Sequence, residues 1–194
     1  MTAIAVSEND PPDPRNVYAA TKLHQEHLSF AYGREHDSDV VALRYHNVYG
    51  PRMPRDTPYA GVASIFRSAL EAGRPPVVFE DGGQRRDFVH VTDVARANVS
   101  ALTAQGPVVG AYNIASGEAH TVLEMAQAIA AAHPHATCQP HVVSRYRLGD
   151  VRHVFGDTHR ARVGLGFEAQ VPFEVGMREF ATDGLRGQTS ETSE

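Results

Sequence analysis

Tyr18 and Lys22 stand four residues apart in the run Asn16-Val-Tyr-Ala-Ala-Thr-Lys22. At about 3.6 residues per turn, this spacing stacks the two side chains on one face of a helix. A phenol ordinarily titrates near ~10, too high for a base at neutral pH, but an adjacent ammonium favours its phenolate. Such a pair can take a proton from a substrate hydroxyl while hydride leaves the neighbouring carbon. The same spacing also occurs on ordinary helix surfaces, so the pair acquires meaning only from the chain around it.

The elements that must position this pair can be read in order. Pro11-Pro-Asp-Pro14 excludes a helix or central strand before the pair, and Asn16 is placed to cap a helix from Val17 to Tyr32. Ile4-Ala-Val6 is expected to be a short strand end without a partner. Val40-Val-Ala-Leu-Arg44 has the β-branched, apolar character of a buried parallel strand, and Tyr45 to Pro51 follows as the loop at its carboxyl end, where open α/β sheets bind ligands. Asn47 lies in that loop, either facing a ligand or closing an Asx turn.

After a Pro-rich connection, a helix is expected from Val62 to Ala72 and a strand at Val77–Phe79. A turn follows at Glu80–Gly83, then a strand over Arg85–Val91. Thr92 and Asp93 are expected to cap a helix from Val94 to Thr103. Ala111–Ile114 is a further strand. The helix Val122–Ala132 carries an apolar stripe of Leu123, Ala126, Ile129 and Ala130, with Met125 as core filler. His133, His135 and His141 fall in polar text as solvated histidines. A small helix is expected within Asp157–Gly166, and a closing one from Phe173 to Leu185 that buries Val175, Phe180 and Leu185.

Composition narrows the function classes. At 194 residues with 42% hydrophobic and 21% charged residues, the chain is long enough for a substantial core. A net charge of −5 argues against nucleic acid or an anionic membrane as partner. No apolar run approaches the ~20 residues of a membrane span, and the N-terminus lacks a basic-then-apolar signal pattern. The single cysteine, Cys138, excludes an internal disulfide and fits a reducing cytoplasm. His24 and His27, three residues apart, lack a third metal ligand in view.

Several motifs follow one another in register: Tyr18-Ala-Ala-Thr-Lys22, Leu43-Arg-Tyr-His-Asn-Val-Tyr-Gly-Pro51, Glu80-Asp-Gly-Gly-Gln-Arg-Arg-Asp-Phe-Val-His-Val-Thr-Asp93, Tyr112-Asn-Ile-Ala-Ser-Gly117 and Arg147-Leu-Gly-Asp-Val-Arg152. Over Ser7 to Phe180 the chain resembles the extended short-chain dehydrogenase/reductase family, in its nucleotide-sugar epimerase/dehydratase branch. The resemblance implies an α/β fold, the trailing part of a doubly wound Rossmann-type parallel sheet plus a small α/β substrate-binding portion. Residues 1–50 and 86–117 would belong to the dinucleotide-binding domain and residues 51–85 and 118–187 to the nucleotide-sugar-binding portion, with 188–194 a frayed tail.

The resemblance also assigns roles. Tyr18 is the acid/base, and Lys22 supports it and holds the ribose of NAD. Asn47 hydrogen-bonds a nucleotide-diphosphate sugar, and Phe79 stacks on its base unless it is plain core. Arg86 and Arg147 reach the diphosphate unless they are structural partners of Asp87 and Asp150, and Asp150 lies near the nucleotide ribose. Members usually dimerise through helices that include the tyrosine-bearing one, so a homo-oligomer is expected.

Family members begin with a strand, a Gly-rich turn and a helix that seat the dinucleotide pyrophosphate. Seventeen residues precede Tyr18, fewer than the about 30 of a βαβ unit. Gly164-Leu-Gly-Phe-Glu-Ala169 matches the fingerprint in letters only, because it follows a helix and runs into Pro172. The expectation is therefore the C-terminal part of an NAD-dependent nucleotide-sugar 4-epimerase. The alternatives are a 4,6-dehydratase fragment and a non-catalytic nucleotide-sugar-binding remnant, and a missing N-terminal half is a further expected partner.

Overall fold

The computed structural model describes residues 4–55, 61–134, 138–146 and 151–186. Its elements run α1 (Val17–Glu35), β1 (Val41–Tyr45), β2 (Asn47–Tyr49), α2 (Val62–Glu71), β3 (Val77–Phe79), β4 (Arg85–His90) and α3 (Val91–Thr103). They continue with β5 (Gly110–Ile114), β6 (Ala119–Thr121), α4 (Val122–Ala132), β7 (His141–Val143), β8 (His153–Val154), α5 (His159–Leu165) and α6 (Phe173–Phe180). The fold is α/β, as expected.

β1 pairs in parallel with β5, and β2 in parallel with β4, so the chain changes sheet between Tyr45 and Asn47. β4 also carries β6 antiparallel and β8 parallel, and β3 pairs in parallel with β7. The expected loop from Tyr45 to Pro51 thus contains a short strand. Nothing in its own pattern announces three strand residues; the edge of β4 recruits them.

β4 is the wall between two cores. Side chains alternate across a strand, so Phe88 joins one core and Val89 the other. The first core gathers Tyr49, Phe66, Leu70, Met125, Ile129, Met177 and Phe180 from β2, α2, α4 and α6. The second gathers Val94, Tyr112, Ile114, Ala161 and Leu165 from α3, β5 and α5. α5 therefore packs on the β1–β5 side, although its residues fall within the 118–187 stretch.

Several local expectations change once packing is present. Val6 forms a parallel bridge with Gly156, so Ile4–Val6 is not without a partner. α3 begins at Val91, and its cap is His90, whose Nδ1 accepts the Thr92 N–H at 3.3 Å. Asp93 lies in the first turn and is fully buried. Its carboxylate accepts the N–H groups of Gln170 and Val171 at 2.9 and 3.1 Å and pairs with Arg96.

His133 is buried at the end of α4, where its backbone N–H donates to Ile129. His141 is exposed but belongs to β7 rather than a loop, and His135 lies outside the described residues. Leu123 is half-buried at the rim of the first core, while Met125 is fully enclosed. α6 ends at Phe180, and Leu185 is buried beyond it. Val175 is 41% exposed because it lies about 200° round the helix from Phe173.

α6 crosses close over β2 at Gly176, where any Cβ would collide with the Tyr49 ring and hydroxyl. Gly176→Ala is accordingly expected to destabilise the protein by about 1–3 kcal/mol, the usual overpacking cost. Urea unfolding of the two proteins checks this, and an unchanged midpoint would contradict the close approach.

Candidate functional site

α1 carries the tyrosine–lysine pair. The helix starts where Asn16 Oδ1 accepts the Ala19 N–H at 2.8 Å, which satisfies one of the open donors of its first turn. It is anchored to β1 by Arg44, whose guanidinium grips both oxygens of Glu26 at 2.8 and 2.6 Å. That hydrogen-bonded pairing holds the Glu26 carboxyl below its ordinary range. A two-pronged Arg–carboxylate contact fixes orientation as well as distance, so it sets the face that α1 turns toward the sheet.

On that face Lys22 Nζ lies 5.8 Å from the centroid of the Tyr18 ring, as the spacing required. Tyr18 is 61% exposed, and Lys22 Nζ also reaches Gln25 Oε1 at 3.4 Å. Both side chains line a cleft of about 970 Å³ that runs along β1 and past Tyr45, Tyr49 and Gly50. Tyr18, Lys22 and the strand ends therefore share one space.

Of the other expected site residues, Asn47, Phe79 and Arg86 are described, and none of the three lines that cleft. Asn47 opens β2 opposite Phe88, and its Nδ2 donates to the Asp87 carbonyl at 3.2 Å. Phe79 ends β3 half-buried, opposite Val143. The Arg86 guanidinium donates to the carbonyls of Val151 and Arg152 at 2.6 and 2.9 Å, and to that of Arg85 at 2.8 Å. Asp87 does not serve Arg86. Its buried carboxylate accepts Ser116 N–H, Ser116 O–H and Gly117 N–H at 2.6, 2.8 and 2.9 Å. Arg147 and Asp150 lie outside the described residues.

Arg152 marks a contact that the sequence reading did not single out. It bridges Glu80 and Asp81 at 2.8 and 2.7 Å, tying the residue pair gripped by Arg86 to the β3–β4 turn. The Arg152 hydrogen bond brings the exposed Asp81 carboxyl down to about 2. Its motif neighbourhood was visible in the sequence, but a contact over about seventy positions was not.

Among the described residues no cluster of three or more His, Cys, Asp or Glu side chains can hold a metal, and His24 and His27 are exposed on α1. No described helix is long and apolar enough to cross a membrane. The Gly164–Ala169 run lies at the end of α5 and beyond it, not in a strand–turn–helix unit. The donor set of the cleft does fit a dinucleotide's nicotinamide ribose, because a lysine ammonium and a tyrosine hydroxyl open together into it.

Known proteins similar to this chain in sequence and structure include nucleotide-sugar 4-epimerases. The chain is 36% identical over 171 residues to dTDP-L-rhamnose 4-epimerase of Burkholderia thailandensis, covering 88% of this chain and 47% of that protein. It is 38% identical over 177 residues to UDP-glucose 4-epimerase of Mycolicibacterium smegmatis, covering 90% and 55%. Thermus thermophilus UDP-glucose 4-epimerase, solved with NAD, superposes with a TM-score of 0.81 at 34% identity, covering 93% of this chain and 58% of that one. UDP-glucuronic acid 4-epimerase of Bacillus cereus, solved with UDP-glucuronic acid and NAD, gives a TM-score of 0.79 at 27% identity, covering 93% of this chain and 56% of that one. The chain thus spans about half the length of the curated relatives it matches. Residues 2–115, more than half of the 194 and inclusive of the tyrosine–lysine helix, match one NAD-dependent family. This chain belongs to the NAD dependent epimerase/dehydratase family.

Proposed function

We propose that this chain is the C-terminal part of an NAD-dependent nucleotide-sugar 4-epimerase, with Tyr18 as its acid/base. The observation that carries the reading is the Tyr18–Lys22 pair, opening from one face of α1 into the cleft along β1. The relatives being 4-epimerases supports the choice over a dehydratase.

Bound NAD supplies the acceptance and return of hydride at the sugar carbon. The chain's own residues handle the proton and the positioning. Tyr18 removes the proton of the sugar 4-hydroxyl and gives it back when that carbon is reduced on its other face. Lys22 stabilises the negative charge that develops on the tyrosine oxygen and holds the nicotinamide ribose. Asn47, steadied by its bond to the Asp87 carbonyl, hydrogen-bonds the nucleotide sugar. Phe79 stacks on the base, Arg86 and Arg147 clamp the diphosphate, and Asp150 lies near the ribose. In this reading residues 1–50 and 86–117 complete a dinucleotide-binding domain, and 51–85 and 118–187 hold the nucleotide sugar. The enzyme works in the cytoplasm as a homo-oligomer, with the exposed Leu28 and Tyr32 of α1 in the contact.

The test joins this chain in frame to the Gly-rich dinucleotide-binding portion of a relative and supplies NAD with UDP-glucose or dTDP-L-rhamnose. Inversion at C4, read by NMR, is the expected product; loss of water instead of inversion would overturn the 4-epimerase reading.

The described residues contain no strand, Gly-rich turn and helix in succession. The 194-residue chain alone is therefore expected to bind NAD more weakly than the low micromolar range, about −8 kcal/mol. Calorimetry checks this directly, and a low-micromolar constant would contradict it.

A further inference from the structure

Arg67 of α2 is a buried cation beside the first core, only 5% exposed. Its Nη1 donates to the Phe180 carbonyl at 2.9 Å and to that of Asp183, just past the end of α6. Its Nη2 lies 3.1 Å from Glu71 Oε1, one turn further along α2, and Glu71 also pairs with Arg55. The guanidinium carbon stands 5.7 Å from the Phe180 ring centroid. A planar fork of donors can serve two carbonyls and a carboxylate while lying over a ring; a lysine ammonium, a single point, cannot.

Two segments far apart in the chain meet at this network. Arg52 N–H donates to the Gly184 carbonyl at 2.8 Å, Arg186 N–H to that of Met53 at 3.0 Å, and Arg55 N–H to that of Arg186 at 3.2 Å. Pro54 and Arg186 accordingly form a parallel bridge. Residues 184–186 therefore lie as a strap along residues 52–55. Arg67 fastens the strap at Phe180 and Asp183, while Glu71 fastens the other segment through Arg55.

Arg52 shows that residues 52–55 are held rather than merely at rest. Its φ is +65°, in the left-handed region that a side chain disfavours. Such a backbone persists where surrounding contacts fix it, and the bond to Gly184 is one of them. Arg52, Met53 and Pro54 also line the cleft into which Tyr18 and Lys22 open.

We propose that Arg67 is a positioning residue for this cleft: through the strap at residues 180–186 it sets the cleft wall formed by residues 52–54. Its effect on turnover rests on the 4-epimerase reading above; the strap itself does not. When Arg67 lets go of the Asp183 carbonyl, the strap loses its fastening next to Gly184. Arg52 then relaxes from its left-handed conformation, and Met53 and Pro54 move with it. The wall shifts although Arg67 itself touches nothing in the cleft.

The experiment compares amide hydrogen exchange in the 194-residue protein and in Arg67→Lys. The Arg52, Arg55 and Arg186 amides are expected to exchange about tenfold or more faster in the variant, the scale of one lost hydrogen bond to a charged group. The Asn113 amide, bonded to Glu8 Oε1 at 2.6 Å on the β1–β5 side, should keep its rate. Unchanged rates at the first three, or equal acceleration at Asn113, would overturn the proposal, the second outcome marking a general loss of stability. In the fused enzyme, kcat/KM for the nucleotide sugar should fall by up to about 10²-fold, the scale of an ~1 Å misplacement. KM rather than kcat should carry that loss; an unchanged KM would overturn the link to the cleft. If the fused enzyme inverts no sugar at C4, the 4-epimerase reading falls, and the three amides still decide the role of Arg67. If Arg67→Lys does not fold, Glu71→Gln, which removes only the carboxylate that Arg67 and Arg55 share, is read in the same way.

Discussion

Turnover of the assembled 4-epimerase is expected to fall by about 10²–10⁴-fold on Tyr18→Phe, the range a positioned acid/base contributes. Substrate affinity should change little, because the ring remains and only the hydroxyl is lost. The exposure of Tyr18 sharpens the test. At 61% exposed, with no place in either core, the side chain contributes little to folding. The variant's unfolding midpoint should stay within about 0.5 kcal/mol of wild type, as for most surface substitutions. Steady-state kinetics on the fused enzyme, alongside urea unfolding, separates a chemical loss from a structural one. Near-normal turnover would return Tyr18 to the status of a surface tyrosine that happens to sit near a lysine.

Phe180→Ala is expected to have the largest effect on stability. Phe180 is fully buried at the end of α6 and meets Tyr49 edge-on, with centroids 6.0 Å apart at 83°. The Arg67 guanidinium lies 5.7 Å above its ring, and Arg67 also donates to its carbonyl at 2.9 Å. Truncation removes a ring from the middle of α2, β2 and α6 at once and leaves a cavity that these elements cannot close. The usual cost is about 3–5 kcal/mol, a large share of the about 5–15 kcal/mol that a domain has. The denaturation midpoint should drop with little change in slope. A loss under about 1 kcal/mol would mean that α6 does not close the first core.

The same contact links stability to the cleft. Tyr49 carries the ring that Phe180 supports, lines the cleft shared with Tyr18, and is sealed in well enough that burial raises its phenol far above the ordinary value. Phe180→Ala is therefore expected to weaken the cleft wall before Tyr18 itself is disturbed.

What the sequence determined alone was local. The four-residue spacing of Tyr18 and Lys22 settled their shared face, because helical geometry fixes it wherever the helix forms. The Asn16 cap, the strands at Val41–Tyr45, Val77–Phe79 and Gly110–Ile114, and the helix Val122–Ala132 were legible for the same reason: cap chemistry and side-chain periodicity act over a few residues. The motifs that carry the family were legible as well, being short and in order. Only the tertiary structure decided what depends on distant partners. The edge of β4 made Asn47–Tyr49 a strand, and Gln170 and Val171 turned Asp93 from a cap into a buried tie. The end of α4 enclosed His133, and the first turn of α6 left Val175 outside. Asp87, which adjoins Arg86 in the chain, went instead to Ser116 and Gly117, because β4 alternates its faces and presents that carboxylate to the end of β5.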